Sequence, residues 1–75
     1  MQVKFFGRLA EITGKSEITI AAFPDILSLM EELNRMYHGL GEQTYLIALN
    51  RKVVSGNHRL QEEDELALLP PFSGG

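Results

Sequence analysis

The residues best suited to chemistry stand at the end of this 75-residue sequence, which reads Pro70-Pro71-Phe72-Ser73-Gly74-Gly75. Two consecutive prolines favour an extended exit from a folded body. Six extended residues reach at most about 20 Å. The two glycines carry no side chains, so we expect this tail to enter a narrow channel in another protein. A glycine carboxylate is also the least hindered acyl group that a chain can offer for activation. The alternative is an ordinary frayed terminus.

Other residue groups resemble catalytic or ligand motifs only in part. Gly14-Lys15-Ser16 is similar to the end of a P-loop, but Leu9 stands where that motif requires glycine. His38 and His58 lack the spacing to carboxylates that a metal site needs, and no Ser, His and Asp arrangement indicates a nucleophile. The acidic run at 62–65 is typical of a solvated turn, or it steers the protein onto a basic partner. We therefore expect no metal, no tightly bound cofactor and no catalysis by this chain alone.

The composition is typical of one small domain, with 44% hydrophobic residues, 23% charged residues and a net charge of −3. A chain of this length buries only roughly 60–65% of its unfolded surface, which limits it to one modest core. The absence of cysteine excludes disulfides and a thiolate nucleophile. Together with a start that lacks a signal-peptide pattern, it predicts a cytoplasmic protein. The mild acidity argues against nucleic acid, and no apolar run reaches the length that crosses a membrane.

The order of secondary-structure elements follows from the hydrophobic periodicity. Alternating residues predict strands at 2–6 and 16–22, joined by a connection with a turn of helix. Asp25 is a good N-cap, and apolar residues at helical spacing continue to Tyr37, with Gly39 ending the helix after His38. Three more strands are predicted, at 45–49 in the centre of the sheet, at 53–54 after a turn at 50–52, and at 66–69.

This order predicts a two-layer α+β domain at 1–69, a mixed sheet with one main helix on one face, and then the extended tail at 70–75. The strand residues assigned to the helix side are Val3, Phe5, Ile18, Ile20, Leu66 and Leu68. The same alternation places Phe6, Leu69 and one of Val53 or Val54 on the other face. An uncovered apolar face is a candidate partner surface, although singly exposed apolar residues are also ordinary.

The whole sequence resembles the ubiquitin-like sulfur carriers, and among them the small subunits of molybdopterin synthase. The residues that carry the resemblance are Val3-Lys4-Phe5-Phe6, Phe23-Pro24, Asn50-Arg51-Lys52-Val53-Val54 and the ending Leu68-Leu69-Pro70-Pro71-Phe72-Ser73-Gly74-Gly75. The Pro-Pro-x-Ser-Gly-Gly ending is the most specific part, because a bare Gly-Gly is shared with thiamine-pathway carriers and ubiquitin-related modifiers. The sequence departs from the family at Glu63, where a glycine usually precedes the Asp-Glu pair.

The resemblance implies the ubiquitin-like β-grasp fold and a sulfur-carrier function in molybdenum cofactor biosynthesis. An adenylating enzyme related to ubiquitin-activating enzymes would use ATP and magnesium to activate the Gly75 carboxylate. A sulfur donor enzyme would then replace AMP and leave a C-terminal thiocarboxylate. The tail would enter the large subunit of molybdopterin synthase, where sulfur passes to cyclic pyranopterin monophosphate and builds the dithiolene. The resemblance places partner contacts at Phe6, Val53 and Leu69, and implies a heterotetramer with two large subunits at its centre.

Three other functions stay open on the sequence. The chain could carry sulfur for thiazole synthesis in thiamine production, or it could be a ubiquitin-like modifier conjugated through Gly75 to lysines. It could also be an interaction module with an inert tail. The doubled proline and the terminal Ser-Gly-Gly favour the molybdopterin carrier.

Overall fold

The computed structural model describes residues 1–71, in which a five-stranded sheet packs against one main helix. Its elements in chain order are β1 (Gln2–Phe5), α1 (Arg8–Thr13), β2 (Glu17–Thr19), α2 (Ile26–Met36), a 3₁₀ turn (Leu40–Glu42), β3 (Leu46–Leu49), β4 (Lys52–Val54) and β5 (Glu65–Leu69). The predicted mixed sheet with one main helix is therefore confirmed. The predictions for Phe72, Ser73, Gly74 and Gly75 lie outside the described residues.

The strand order across the sheet is β2-β1-β5-β3-β4. β1 and β5 run parallel, whereas the other neighbouring strands pair antiparallel. β5 is the middle strand, and β3, which pairs with both β5 and β4, is an interior strand as predicted. The prediction that both of its faces are at least partly covered is also confirmed. Ile47 and Leu49 pack against the core, while Leu46 and Ala48 lie on the face away from α2, in register with Leu69 and Ala67 of β5.

The core lies between α2 and the sheet. The apolar stripe of α2, formed by Ile26, Leu29, Met30 and Leu33, packs in one cluster with buried residues of β1 and β5. Val3, Leu66 and Leu68 are 0% exposed and Phe5 is 2% exposed, as the alternation predicted. Ile18 and Ile20 also face the core but are only half-buried, since they lie on and just beyond the edge strand β2.

The two ends of α2 differ in how well the sequence predicted them. Asp25 caps the helix as predicted: its carboxylate accepts from the Ser28 backbone N–H at 2.9 Å, and the Ser28 hydroxyl accepts from the Asp25 N–H at 3.4 Å. The predicted end after His38 was wrong, because α2 ends at Met36 and Tyr37 is already extended (φ −125°, ψ 104°). There Tyr37 packs edge-on against Phe5, with ring centroids 5.7 Å apart, and Leu40 is fully buried. These two contacts direct the chain away from the helix axis.

Most other strand and helix boundaries in the structure differ from the predicted ones by a few residues. The connection after β1 is a full helix, α1, which buries Leu9 and is closed by a hydrogen bond from the Thr13 hydroxyl to the Leu9 carbonyl (3.1 Å). β2 is shorter than predicted, and the β3–β4 turn contains two residues rather than three, because Lys52 already pairs with Leu49. Within the described residues, no helix combines the length and hydrophobicity needed to span a membrane.

Candidate functional site: an apolar groove beside the exit of the tail

The sheet face opposite α2, here called the outward face, carries an open groove of about 280 Å³. The residues that line this outward groove are Lys4, Phe6, Ala48, Arg51, Val53, Glu65, Ala67 and Leu69. The structure thus brings the three predicted contact residues together in one place. Phe6 is 45% exposed and Val53 is 61% exposed, whereas Leu69 is half-buried. Of the two valines, Val53 is the outward one, and Val54 packs against the core.

Strand register explains why a groove forms at this place. Ala67 of β5 pairs with Ala48 of β3 and with Lys4 of β1, and Ala48 pairs in turn with Val53 of β4. One row across the outward face therefore has two alanines at its centre. The next row is bulkier, because Leu69 pairs with Leu46 and the Phe6 N–H donates to the Leu68 carbonyl at 3.1 Å. The alanines form the floor of the groove and the larger side chains form its walls.

Two cations and one carboxylate line the polar side of the groove. Lys4 Nζ lies 3.0 Å from Glu65 Oε2, and both side chains are partly exposed. Arg51 belongs to the two-residue turn between β3 and β4, where Asn50 has φ 51° and Arg51 has φ 71°. Positive φ at both central positions defines a type I′ turn, which matches the twist of a hairpin. Arg51 is thus held at the groove by a turn that favours glycine at its position.

The Asn50 side chain fixes this turn to the start of β5. Its amide nitrogen donates to Asp64 Oδ1 at 3.0 Å, and its amide oxygen accepts from the Glu65 N–H at 3.0 Å. The hydrogen bond from Asn50, followed by one from the Gln61 backbone N–H, lowers the pKa of the Asp64 carboxyl. Asn50 therefore connects the turn that carries Arg51 with the strand that carries Glu65.

The conformation of the acidic turn before β5 shows why Glu63 can stand where the family usually has glycine. The turn is closed by Asp64, whose N–H donates to the Gln61 carbonyl at 3.0 Å and whose carboxylate accepts from the Gln61 N–H at 2.8 Å. Among the non-glycine residues of 1–71, positive φ occurs only at Asn50 and Arg51. Glu63 consequently needs no conformation that is reserved for glycine. Glu62 and Glu63 are both exposed, as in a solvated turn.

The tail leaves the body directly beside the groove. β5 ends at Leu69, a groove residue, and Pro70 and Pro71 follow as exposed residues. The Pro70 ring packs over Gly7, where φ is 58° and ψ is −132°. Any molecule that contacts Phe6 and Leu69 therefore also lies next to the first residues of the tail.

Sequence reasoning missed five residues of the groove: Lys4, Ala48, Arg51, Glu65 and Ala67. Ala48 and Ala67 are each the one small residue in a strand of otherwise bulky side chains, and the alternation places each on the outward face. This pattern is the signal that could have indicated a groove floor. The pairing of Lys4 with Glu65 depends on the parallel register of β1 and β5, and no local pattern contains that register. Elsewhere in residues 1–71, no three His, Asp or Glu side chains lie close enough together to hold a metal ion.

The sequence pattern of the ThiS family matches residues 3–75. A relative from Escherichia coli (strain K12), a molybdopterin synthase sulfur carrier subunit, is 32% identical over 80 residues, and the alignment covers all of this chain and 99% of the relative. Among solved structures, the complex of subunits 1 and 2 of molybdopterin-converting factor from Helicobacter pylori 26695 contains a similar chain. That chain has a TM-score of 0.72 and 31% identity, with 99% of this chain and 96% of the other covered.

The fold has a second structural match in SAMP1 from Haloferax volcanii, with a TM-score of 0.77 over 100% of this chain and 98% of the other at 24% identity. At that identity the match supports the fold alone, and it confirms the predicted ubiquitin-like β-grasp architecture. The sequence relatives confirm the predicted resemblance to molybdopterin synthase small subunits. The chain therefore belongs to the ThiS family, in which its relatives include molybdopterin synthase sulfur carrier subunits.

Proposed function

We propose that this protein is the sulfur-carrying small subunit of a molybdopterin synthase. The observation that supports this most directly is the position of the outward groove beside the exit of the tail. Phe6 and Leu69 line the groove, and Pro70 follows Leu69 immediately. A partner that binds the apolar groove is therefore placed next to the tail that it would have to receive. The relatives named as sulfur carrier subunits support the same function.

Gly75 is the proposed site of chemistry. A carboxylate is a poor acyl donor, because its leaving group would be oxide or hydroxide. In the proposed first step a carboxylate oxygen of Gly75 attacks the α-phosphorus of ATP, and pyrophosphate leaves. In the second step a persulfide or sulfide of a donor enzyme attacks the acyl carbon, and AMP leaves. Attack by sulfide gives the thiocarboxylate directly. Attack by a persulfide gives an acyl disulfide to the donor cysteine, and a thiol then attacks the cysteine sulfur, so that the Gly75 thiocarboxylate leaves and a disulfide forms on the donor side. ATP and magnesium bind to the adenylating enzyme, and this chain needs no resident cofactor.

The large subunit is the proposed second partner, in a cytoplasmic complex. Residues 70–74 would enter its active site and present the thiocarboxylate to cyclic pyranopterin monophosphate. Binding would convert sulfur transfer into an effectively unimolecular reaction, and the large subunit would supply the acid, base and electrostatic groups. Two such transfers would build the dithiolene. The Helicobacter pylori relative, which was solved as a complex of subunits 1 and 2, supports this partner.

The test is a reconstitution that is followed by intact mass. The protein is incubated with ATP, magnesium, the adenylating enzyme of its host and a sulfur donor, and is then mixed with the large subunit and cyclic pyranopterin monophosphate. We expect one oxygen to be replaced by sulfur at Gly75, and the sulfur to be lost again as the dithiolene forms. A chain that lacks Gly75 is the control, and it should neither gain nor transfer sulfur.

The other outcomes identify the other functions. Loading without transfer to the pyranopterin would contradict the molybdopterin assignment and would favour a carrier for thiazole synthesis. Isopeptide links between Gly75 and lysines of other proteins would favour a ubiquitin-like modifier. Absence of loading by an adenylating enzyme that is active on another carrier would leave only an interaction module.

A further inference from the structure

We infer that the outward groove is the receptor for one apolar side chain of the large subunit, and that a carboxylate of the same subunit pairs with Arg51 at the edge of the groove. This inference rests on the proposed function and specifies the chemistry of the contact. It goes beyond an apolar face in two respects. It predicts insertion of a side chain into a cavity, and it predicts one defined ion pair.

The floor of the groove supports insertion. Ala48 and Ala67 pair directly with each other, Lys4 and Val53 flank them in the same row, and Phe6 and Leu69 line the groove in the next row. Had larger residues occupied the two alanine positions, the outward face would be filled and flat. Instead a cavity of about 280 Å³ lies open above them. An apolar side chain that enters it would contact Phe6, Leu69 and Val53 above the alanine floor, and such a filled apolar pocket is typical of an interface hot spot.

The charges at the groove support a carboxylate as the neighbour of that side chain. Lys4 is already paired with Glu65 at 3.0 Å. Arg51, by contrast, pairs with no carboxylate in the described part of the chain. The nearby carboxylate of Asp64 accepts instead from Asn50 and from the Gln61 N–H. Among residues 1–71, the groove therefore has one cation whose charge no carboxylate complements and a partner can, although the chain as a whole has a net charge of −3.

The backbone at Arg51 is conformationally strained, and a contact with a partner would explain why a side chain is present there. Its φ of 71° lies in the left-handed region, where an L side chain is strained and where a type I′ turn favours glycine. A guanidinium retained at such a position, on the edge of an apolar groove, is well placed for a bidentate pair with a carboxylate.

The occupant is argued from the position of the tail. The six residues from Pro70 to Gly75 span at most about 20 Å when extended. A protein that holds Gly75 in its active site must therefore bring its surface close to Leu69 and the groove. The adenylating enzyme meets the same condition. The large subunit is favoured because the relative of known structure at 31% identity was solved together with subunit 2.

Filling the groove tests the insertion. Ala67→Leu places a larger apolar side chain on the floor of the groove. Thr19→Leu is the matched control, because Thr19 is exposed on the outward face of the sheet, in β2, and does not line the groove. We expect Ala67→Leu to weaken binding to the purified large subunit at least tenfold in isothermal titration. The control should bind like the wild type, and both variants should unfold at the wild-type temperature. Wild-type affinity of a folded Ala67→Leu variant would overturn the insertion.

Reversing the charge tests the ion pair. Arg51→Glu should weaken binding at least tenfold, and the loss should shrink as the salt concentration rises. Lys52→Glu is the control, because Lys52 is the next residue, is exposed and does not line the groove. An equal loss in both variants would show a general charge effect and would overturn the pair. Arg51→Gly, which removes the guanidinium without reversing the charge, should give an intermediate loss.

Measuring sulfur loading at Gly75 in the same variants distinguishes failure of this inference from failure of the proposed function. Variants that bind the large subunit normally but are poorly loaded would assign the groove to the adenylating enzyme and overturn the inference. A wild-type chain that does not bind the large subunit at all would instead contradict the proposed function.

Discussion

A Cβ atom on Gly7 would lie 2.8 Å from Cγ of Pro70. The first residue of the tail thus packs against a backbone position that has no side chain. Gly7 also has φ 58° and ψ −132°, a conformation that only glycine adopts without strain. Two constraints therefore meet at the point where the tail leaves the body, a steric one from Pro70 and a conformational one from the turn after β1.

Gly7→Ala should therefore be more destabilising than an ordinary glycine substitution. We expect it to lower the free energy of unfolding by more than about 1 kcal/mol in urea titrations. Gly14→Ala is the matched control, because Gly14 also has a positive φ (75°) but an added Cβ there would meet nothing within 4 Å. The double variant Gly7→Ala/Pro70→Ala should recover part of the loss. Equal losses at Gly7 and Gly14 would show that the contact with Pro70 contributes nothing.

Phe6→Asp should weaken binding to the large subunit at least tenfold while leaving the fold intact. Phe6 is 45% exposed and lines the outward groove, so a carboxylate there removes an apolar wall without disturbing the core. Leu27→Asp is the control, since Leu27 is 61% exposed but lies on α2. Titration calorimetry measures the affinity and thermal unfolding measures the stability. A Phe6→Asp variant with unchanged affinity would remove this residue from the interface.

Deletion of Gly75 should abolish sulfur loading and leave stability unchanged. The apolar core is formed by residues between Met1 and Leu68, so the last residue is not needed for the fold. Intact mass after incubation with the adenylating enzyme, ATP and a sulfur donor measures loading, and circular dichroism measures unfolding. Sulfur found on the shortened chain would move the site of chemistry away from Gly75.

Acid should weaken the cap of α2. Hydrogen bonds from the Ser28 side chain, the Ser28 backbone and the Asn57 side chain, in that order, lower the pKa of the Asp25 carboxyl from its ordinary value of 3.8. A carboxyl with a lowered pKa in the folded state contributes stability above its unfolded pKa, and this contribution is lost as the pH falls through the folded pKa. The contribution of Asp25 should therefore be complete above about pH 4 and should decline below it.

Asp25→Asn tests this pH dependence. We expect a lower unfolding temperature than the wild type at neutral pH, and a smaller difference between the two at pH 2 to 3. Glu31→Gln, an exposed position on the same helix, controls for the general loss of a negative charge. If the difference between Asp25→Asn and the wild type were the same at both pH values, the charge of Asp25 would have no part in capping.

Arg51→Gly should stabilise the free protein. Its φ of 71° suits glycine, so we expect the free energy of unfolding to rise by about 0.5–1 kcal/mol after the greater flexibility of glycine is subtracted. Arg51→Ala retains the strained conformation without the guanidinium, and it should have nearly the stability of the wild type. A gain in Arg51→Ala that equals the gain in Arg51→Gly would assign the effect to charge rather than to the backbone.

The sequence by itself determined the features that depend on near neighbours. Asp25 was identified as the cap of α2, and the structure adds its partner Ser28 three residues further on. The alternation of Val3 with Phe5 and of Leu66 with Leu68 identified strand residues in the core. The ending from Pro70 to Gly75 carried the resemblance to sulfur carriers. Each of these signals lies within a few residues, because caps, side-chain alternation and tail motifs depend on local geometry.

Only the tertiary structure decided which residues form the groove. The parallel register of β1 and β5 pairs Lys4 with Ala67, and the antiparallel register of β5 and β3 pairs Ala67 with Ala48. These residues are far apart in sequence, and their pairing depends on the whole sheet. The end of α2 was also decided by distant contacts, because the packing of Tyr37 on Phe5 and the burial of Leu40 outweigh the local preference for another turn of helix.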